Sequence, residues 1–360
     1  MRIPVRHVAR VLAAGTVLAL AACAPAAPTP FPTAAASAAP RVLVTGLEVP
    51  WGVAFLPDGA ALVTERKSAR LLRVATDGTV TPAGTVAGVV AQGEGGLLGV
   101  AVSPDFADDR AVFVAYTSAT DNRVVRLQVA PDGTVDGAAQ QVVVPDIPKA
   151  RIHNGGAVAF GPDGLLYIGT GDAGRRGPAQ DRADLGGKIL RVTAEGAPAP
   201  GNPFGSAVHS LGHRNVQGLA FAPDGTLYAA EFGQNRVDEI NRISSGGNYG
   251  WPEVEGVGGR AGFTDPLVTW PTDEASPSGL AYAGGALYAA GLRGERLWRV
   301  PVTGPGVVGT PEALLSGEYG RLRAVAPTPD GAALWTTTSN RDGRGDPGPD
   351  DDRILVVPLS

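Results

Sequence analysis

Phe160-Gly161-Pro162-Asp163-Gly164 and Phe221-Ala222-Pro223-Asp224-Gly225 are two copies of one phrase: an apolar residue, then Pro-Asp-Gly, then an alternating apolar stretch. Further copies stand at Phe55-Leu56-Pro57-Asp58-Gly59, Val102-Ser103-Pro104-Asp105-Phe106 and Pro327-Thr328-Pro329-Asp330-Gly331, with a degenerate one at Tyr282-Ala283-Gly284-Gly285. Successive copies lie 47, 58, 61, about 60 and about 46 residues apart, which suits one four-stranded blade plus its loops. Pro fixes φ and Gly supplies the left-handed position of a tight turn between two strands, as between Gly218–Ala222 and Thr226–Ala230, and the Asp reads as structural. Six copies predict an all-β, six-bladed β-propeller. Its ring closes where Arg353-Ile354-Leu355-Val356-Val357 meets Arg41-Val42-Leu43-Val44, which removes the open sheet edge.

Composition agrees. With 51 Gly and 31 Pro spread along 360 residues, long helices are excluded. Before the repeats, Arg2, Arg6 and Arg10 precede an apolar run from Val11 to Ala22 that is too short for a membrane span and reads as a signal peptide over residues 1–22. Leu20-Ala21-Ala22-Cys23 resembles the bacterial lipobox, so Cys23 is the expected lipidation site. Residues 23–40, almost all Ala, Pro, Thr and Ser, read as a tether, and residues 41–360 as the propeller. The protein is thus expected to be an exported lipoprotein on the outer face of the cytoplasmic membrane or in the periplasm, touching the membrane through its anchor alone. Loss of residues 1–22 takes the formal charge from −5 to −8, which argues against nucleic acid as a partner. Cys23 is the sole cysteine, so no thiolate or disulfide serves the folded domain and any redox chemistry needs a bound cofactor.

Propeller sites form where loops of several blades meet around the channel. Four polar segments, each leading into its Pro-Asp-Gly strand, fit that place: Gly93-Glu94-Gly95-Gly96-Leu97-Leu98-Gly99, Arg151-Ile152-His153-Asn154-Gly155-Gly156, Gly212-His213-Arg214-Asn215-Val216-Gln217-Gly218 and Gly320-Arg321-Leu322-Arg323-Ala324. At these residues the chain resembles the soluble PQQ-dependent glucose/sorbosone dehydrogenase family, in its aldose sugar dehydrogenase branch. The resemblance covers roughly residues 45 to 357 and takes in Pro50-Trp51-Gly52, Gly169-Thr170-Gly171-Asp172, Asp238-Glu239-Ile240-Asn241 and Gly246-Gly247-Asn248-Tyr249-Gly250-Trp251-Pro252.

The resemblance implies a pyrroloquinoline quinone (PQQ) cofactor, Ca²⁺, a sugar substrate and an external electron acceptor. His153 is the expected general base, since imidazole has the near-neutral pKa needed to take a sugar hydroxyl proton. PQQ is a planar tricarboxylate, so cations must gather to hold it: the resemblance places Arg214 and Asn215 on the cofactor and Arg321 and Arg323, two apart, on its carboxylates. Glu94 stands where relatives carry a polar residue, often Gln, and either binds a sugar hydroxyl or repels PQQ. Arg293 matches a position where the family usually has Lys beside the quinone oxygens. The carbonyls of Gly233 and Gln234, where relatives often have Gly-Pro, are expected to ligate calcium, and Asp238 with Glu239 a second, structural ion. His213 is expected to support Arg214.

Gly169-Thr170-Gly171-Asp172-Ala173-Gly174 satisfies the dinucleotide G-x-G-x-x-G pattern but lacks a following helix and a βαβ unit, so NAD is not expected. The acidic stretch from Asp342 to Asp352 lacks EF-hand spacing and reads as a solvated loop. Two alternatives stand beside the dehydrogenase: a calcium-dependent lactonase, and a non-catalytic glycan- or protein-binding propeller.

Overall fold

The structure, a computed structural model, describes residues 39–359 together with Met1 and Pro4. The apolar leader, Cys23 and all but the end of the Ala/Pro stretch lie outside the described residues. Among the described residues, no helix is long and apolar enough to cross a membrane.

Six antiparallel sheets follow one another along the chain. Their innermost strands are Pro50–Phe55, Leu97–Val102, Ala157–Phe160, Val216–Phe221, Pro277–Ala283 and Leu322–Pro327, which we number blades 1 to 6. Each innermost strand packs on the next, and that of blade 6 packs on that of blade 1, so the ring is a closed six-bladed β-propeller. Arg41–Val44 supplies the outer strand of blade 6, with Arg41 opposite Val356 and Val42 opposite Leu355, as the matching terminal strands predict. Aromatic pairs join neighbouring blades: Phe55 with Trp335, Phe113 with Phe160, Tyr167 with Phe221, and the stacked Trp270 and Trp298.

The repeated turns set the polarity of the ring. In four of them the Asp carboxylate accepts the backbone N–H two residues on, at Ala60, Leu165, Thr226 and Ala332 (2.9–3.2 Å), and the Gly that follows Asp has φ between 68° and 86°. The copy at Pro104 lacks the Gly and makes a single helical turn, Phe106–Asp109, with Asp109 accepting the Ala111 N–H at 2.9 Å. All these hairpins link first to second strands at one end of the ring. The innermost strands therefore begin, and the second strands finish, at the other end, where the four polar segments gather.

Two devices shape that end. In blades 1, 2, 4, 5 and 6 the pairing register slips at the start of the innermost strand, for instance between Val216 and Gly218 and between Leu322 and Val325. Such bulges re-aim side chains. At these slips Gly52, Gly99, Gly218, Gly279 and Ala324, with Ala157 of blade 3, ring the channel, and from them a cavity of about 320 Å³ runs along the innermost strands toward Phe160, Phe221 and Pro327 at the hairpin end. The backbones close tightly there: a Cβ on Gly99 would lie 2.3 Å from the Gly156 carbonyl oxygen.

The acidic stretch near the C-terminus departs in part from its reading as a solvated loop: Asp346 and Asp350 are exposed, but the acids at its two ends are not. Asp342, Asp351 and Asp352 are buried. Asp352 accepts backbone N–H groups from Val49 (3.2 Å) and Asn340 (2.6 Å) and the Thr338 hydroxyl (3.1 Å), so it bolts the closing strands to the start of blade 1.

Candidate active site

His153 precedes blade 3 with a left-handed backbone (φ 56°), and its side chain is 12% exposed at the channel mouth. Its Nδ1 lies 2.7 Å from a carboxylate oxygen of Asp172, which stands just after the second strand of the same blade. Asp172 is 1% exposed and also accepts the Gly174 N–H (2.7 Å) and the Trp251 Nε1–H (2.8 Å). Burial alone would raise its pKa, but these three hydrogen bonds outweigh burial and hold the carboxyl below its ordinary value. An ionised Asp172 fixes the proton on Nδ1 and leaves Nε2 as the free, basic nitrogen.

Next to it lies a cluster of guanidinium groups from blades 1 and 6. Arg321 reaches Asp342 through Nε (3.2 Å) and Nη2 (3.0 Å), Arg323 approaches the same oxygen at 3.7 Å, and Arg66 donates to the Asp342 carbonyl at 3.4 Å. Burial, with Arg66 beside it, pushes Arg323 down to about 9, which still leaves it cationic at neutral pH. The bulges bring Arg323 Nη1 to Gln217 (3.0 Å) and Ser278 (3.4 Å) and its guanidinium over the Trp51 ring (5.8 Å), so four blades close the floor of the mouth.

Arg214 completes the cationic wall. It donates to the Phe232 carbonyl at 3.1 Å and lies 5.5 Å from the Trp251 ring, which Arg176 also approaches at 5.3 Å. Glu231 accepts its backbone N–H and also takes the His213 ring nitrogen at 2.8 Å, while His213 stacks on Tyr249, a supporting place for that histidine. Asn215 is fully buried, its carbonyl oxygen accepting the Gly155 N–H at 3.0 Å. Glu94 reaches the His153 backbone N–H (2.8 Å) with one oxygen and Arg344 Nη2 (2.8 Å) with the other. Arg293 comes to the same end of blade 5, exposed and without a hydrogen bond or ion pair among the described residues.

The predicted calcium residues are arranged differently from one another. Gly233 and Gln234 give their N–H groups to Asp238 (2.9 Å) and Glu255 (2.7 Å). Their carbonyls accept no backbone hydrogen bond among the described residues. Asp238 and Glu239 are successive residues of the strand Val237–Ile243 and so face opposite sides of the sheet. Asp238 accepts the Gly233 and Ser276 N–H groups and is pushed up to about 6 by burial, while Glu239 accepts Asn241 and the Gly256 N–H and is also pushed up, by burial and by Glu231. Among the described residues, no three His, Cys, Asp or Glu side chains form a group able to hold a metal.

Residues 47–347 match the sequence model of the family described as Glucose / Sorbosone dehydrogenase. The chain belongs to that family. Among solved structures it is similar to the PQQ-bound aldose sugar dehydrogenase of Streptomyces coelicolor, with 56% identity and a TM-score of 0.85 over 88% of this chain and 96% of that one. It is 30% identical to the aldose sugar dehydrogenase YliI of Escherichia coli over 84% of this chain and 90% of the relative. It is 32% identical to the quinoprotein glucose dehydrogenase B of Acinetobacter calcoaceticus over 62% of this chain and 54% of the relative.

For this member of the glucose/sorbosone dehydrogenase family, the sequence reading left out Asp172, Trp251, Asp342, Arg66 and the floor residues Gln217 and Ser278. Asp172 and Trp251 stood inside quoted motifs, but only the topology puts a residue after a second strand beside one that precedes a first strand. His209 is buried off the site, its Nδ1 without a hydrogen-bond partner among the described residues and its ring edge-on to Tyr167 (5.4 Å). Burial, with Arg191, pushes it down to about 4. Unfolded imidazole protonates near its ordinary value of about 6.5, so between there and about 4 the unfolded chain binds the extra proton and stability falls as pH drops. We expect Tm to decline less between pH 7 and pH 4.5 in His209→Phe than in the parent; equal slopes in the two proteins would contradict this.

Proposed function

We propose that the protein is a PQQ-dependent aldose sugar dehydrogenase that oxidises the anomeric C1 hydroxyl of its substrate to a lactone and passes the electrons to an external acceptor. The observation that carries the reading is the meeting of one His–Asp pair with Arg66, Arg214, Arg321 and Arg323, brought from different blades to one mouth. A tricarboxylate fits this wall. Among the described residues, Arg66 Nε, Arg214 Nε and Asn215 Nδ2 are buried donors without a protein partner, in a chain whose net charge is negative. Gly233 and Gln234 would hold calcium through their carbonyls, the hard oxygen donors this ion prefers. When bound, PQQ supplies the electrophilic quinone that takes up hydride, and calcium the Lewis acid that polarises it.

The chain's own residues do the rest. His153 Nε2 takes the C1 hydroxyl proton, and the resulting imidazolium is stabilised by Asp172 at Nδ1. Trp251 and the Gly174 N–H keep Asp172 ionised and oriented. Arg214, Arg321 and Arg323 bind the anionic cofactor, and Arg293, at the mouth end of blade 5, flanks it. The floor of Trp51, Gln217, Ser278 and Arg323 separates the reacting atoms from the channel beneath. Export and acylation of Cys23 would place this mouth outside the cytoplasm, within reach of an extracytoplasmic acceptor.

Purified apoprotein titrated with PQQ in Ca²⁺ should gain quinone absorbance and then reduce a redox dye with several aldoses. Adding EGTA before PQQ should abolish the gain in activity. No quinone absorbance at saturation would refute the assignment.

A further inference from the structure

Glu94 is an awkward residue for a site that binds a tricarboxylate: a carboxylate, 15% exposed, at the same mouth as the cationic wall. Its position explains why it is tolerated. One oxygen accepts the His153 backbone N–H at 2.8 Å, and His153 holds a left-handed φ of 56° that few non-glycine residues adopt. The other oxygen accepts Arg344 Nη2 at 2.8 Å, from a loop of blade 6 lying 250 residues away in sequence. Burial works to raise the Glu94 carboxyl, but the His153 N–H and Arg344 outweigh it and keep it ionised. Arg321 and Arg323 lie against the Asp342 carboxylate and Arg66 donates to its carbonyl, while Glu94 forms an ion pair with no other Arg or Lys among the described residues.

We propose that Arg344 sets the affinity for the anionic cofactor by neutralising Glu94, so that Glu94 can pin the His153 backbone without repelling the ligand beside it. The inference rests on the PQQ reading above. Arg344 is a positioning residue: its side chain is 56% exposed and it acts through the carboxylate it covers.

The test is a double-mutant cycle read as the Kd for PQQ, by quenching of tryptophan fluorescence in apoprotein with Ca²⁺. Arg344→Ala should raise Kd at least about tenfold, because it removes a cation and uncovers an anion. Glu94→Gln should change it by less than about threefold, since the amide oxygen still accepts the His153 N–H. The double variant should return to within about threefold of the parent, because there is no carboxylate left to neutralise. An unchanged Kd in Arg344→Ala, or a double variant that binds as poorly as Arg344→Ala, overturns the proposal while leaving the cofactor reading intact. A parent protein that takes up no PQQ overturns both.

Discussion

His153→Ala lowers kcat at least about a thousandfold, the loss expected when a positioned general base is removed from a proton transfer coupled to hydride departure. The size of the effect follows from how the imidazole is held. Its Nδ1 is committed to Asp172 at 2.7 Å and its backbone N–H to Glu94 at 2.8 Å, so Nε2 is the one basic atom it presents to the mouth. Alanine deletes that atom and retains the backbone contact, and no other histidine among the described residues replaces it: His213 has both ring nitrogens bonded, to Glu231 and Ser210, and His209 is buried. Because His153 sits at positive φ, His153→Asn is the better-matched partner variant, since Asn tolerates the left-handed region and still cannot act as the base. Both variants should bind PQQ within a few-fold of the parent, measured by tryptophan quenching, while dye reduction collapses at saturating sugar. A kcat within about tenfold of the parent in either variant would remove His153 from the proton transfer.

What could be read from the sequence, and what could not, divides by the range of the interactions. The propeller was legible because its punctuation is local: Asp58, Asp163, Asp224 and Asp330 each bond a backbone N–H two residues ahead, so the turn is complete within five residues and its recurrence counts the blades. The closing strand was legible because Arg41–Val44 and Ile354–Pro358 are both apolar runs at the two ends of the domain. The segments around Glu94, His153, Arg214 and Arg321 were legible as loops of equivalent position, and the structure brings them to one mouth. Long-range partners were not. Asp352 looks like one more acid in a hydrophilic tail, yet it serves the Val49 N–H 303 residues earlier, and Asp342 serves Arg321 and Arg323 across a hairpin. A carboxylate's burial is set by the cations and N–H groups that meet it, and those arrive from other blades. The register slips at the innermost strands were equally hidden, although they turn Gln217, Ser278 and Arg323 toward one another.

Asp172→Asn is the second large effect, and hydrogen-bond accounting fixes its sign. Asp172 accepts three donors: His153 Nδ1–H and the Gly174 N–H at Oδ1, and Trp251 Nε1–H at Oδ2. An amide has one acceptor oxygen and one donor NH₂, so it cannot satisfy this set in either orientation. With its oxygen toward His153 and Gly174, the NH₂ meets the Trp251 N–H donor to donor, and Asp172 is 1% exposed, so water cannot readily intervene. With its oxygen toward Trp251, the NH₂ faces His153 Nδ1, which must then become the acceptor; the proton moves to Nε2 and the base is lost. The imidazolium formed in the reaction also loses its counter-charge in both arrangements. We therefore expect kcat to fall by roughly a hundred- to a thousandfold. Trp251→Phe separates the two contributions. It deletes the competing N–H donor and keeps a ring beside Arg176 and Arg214, so in its background Asp172→Asn can turn its oxygen to His153 without conflict and should recover part of the lost rate, though not the charge. If the double variant is no faster than Asp172→Asn alone, the pair does not set the tautomer of the base.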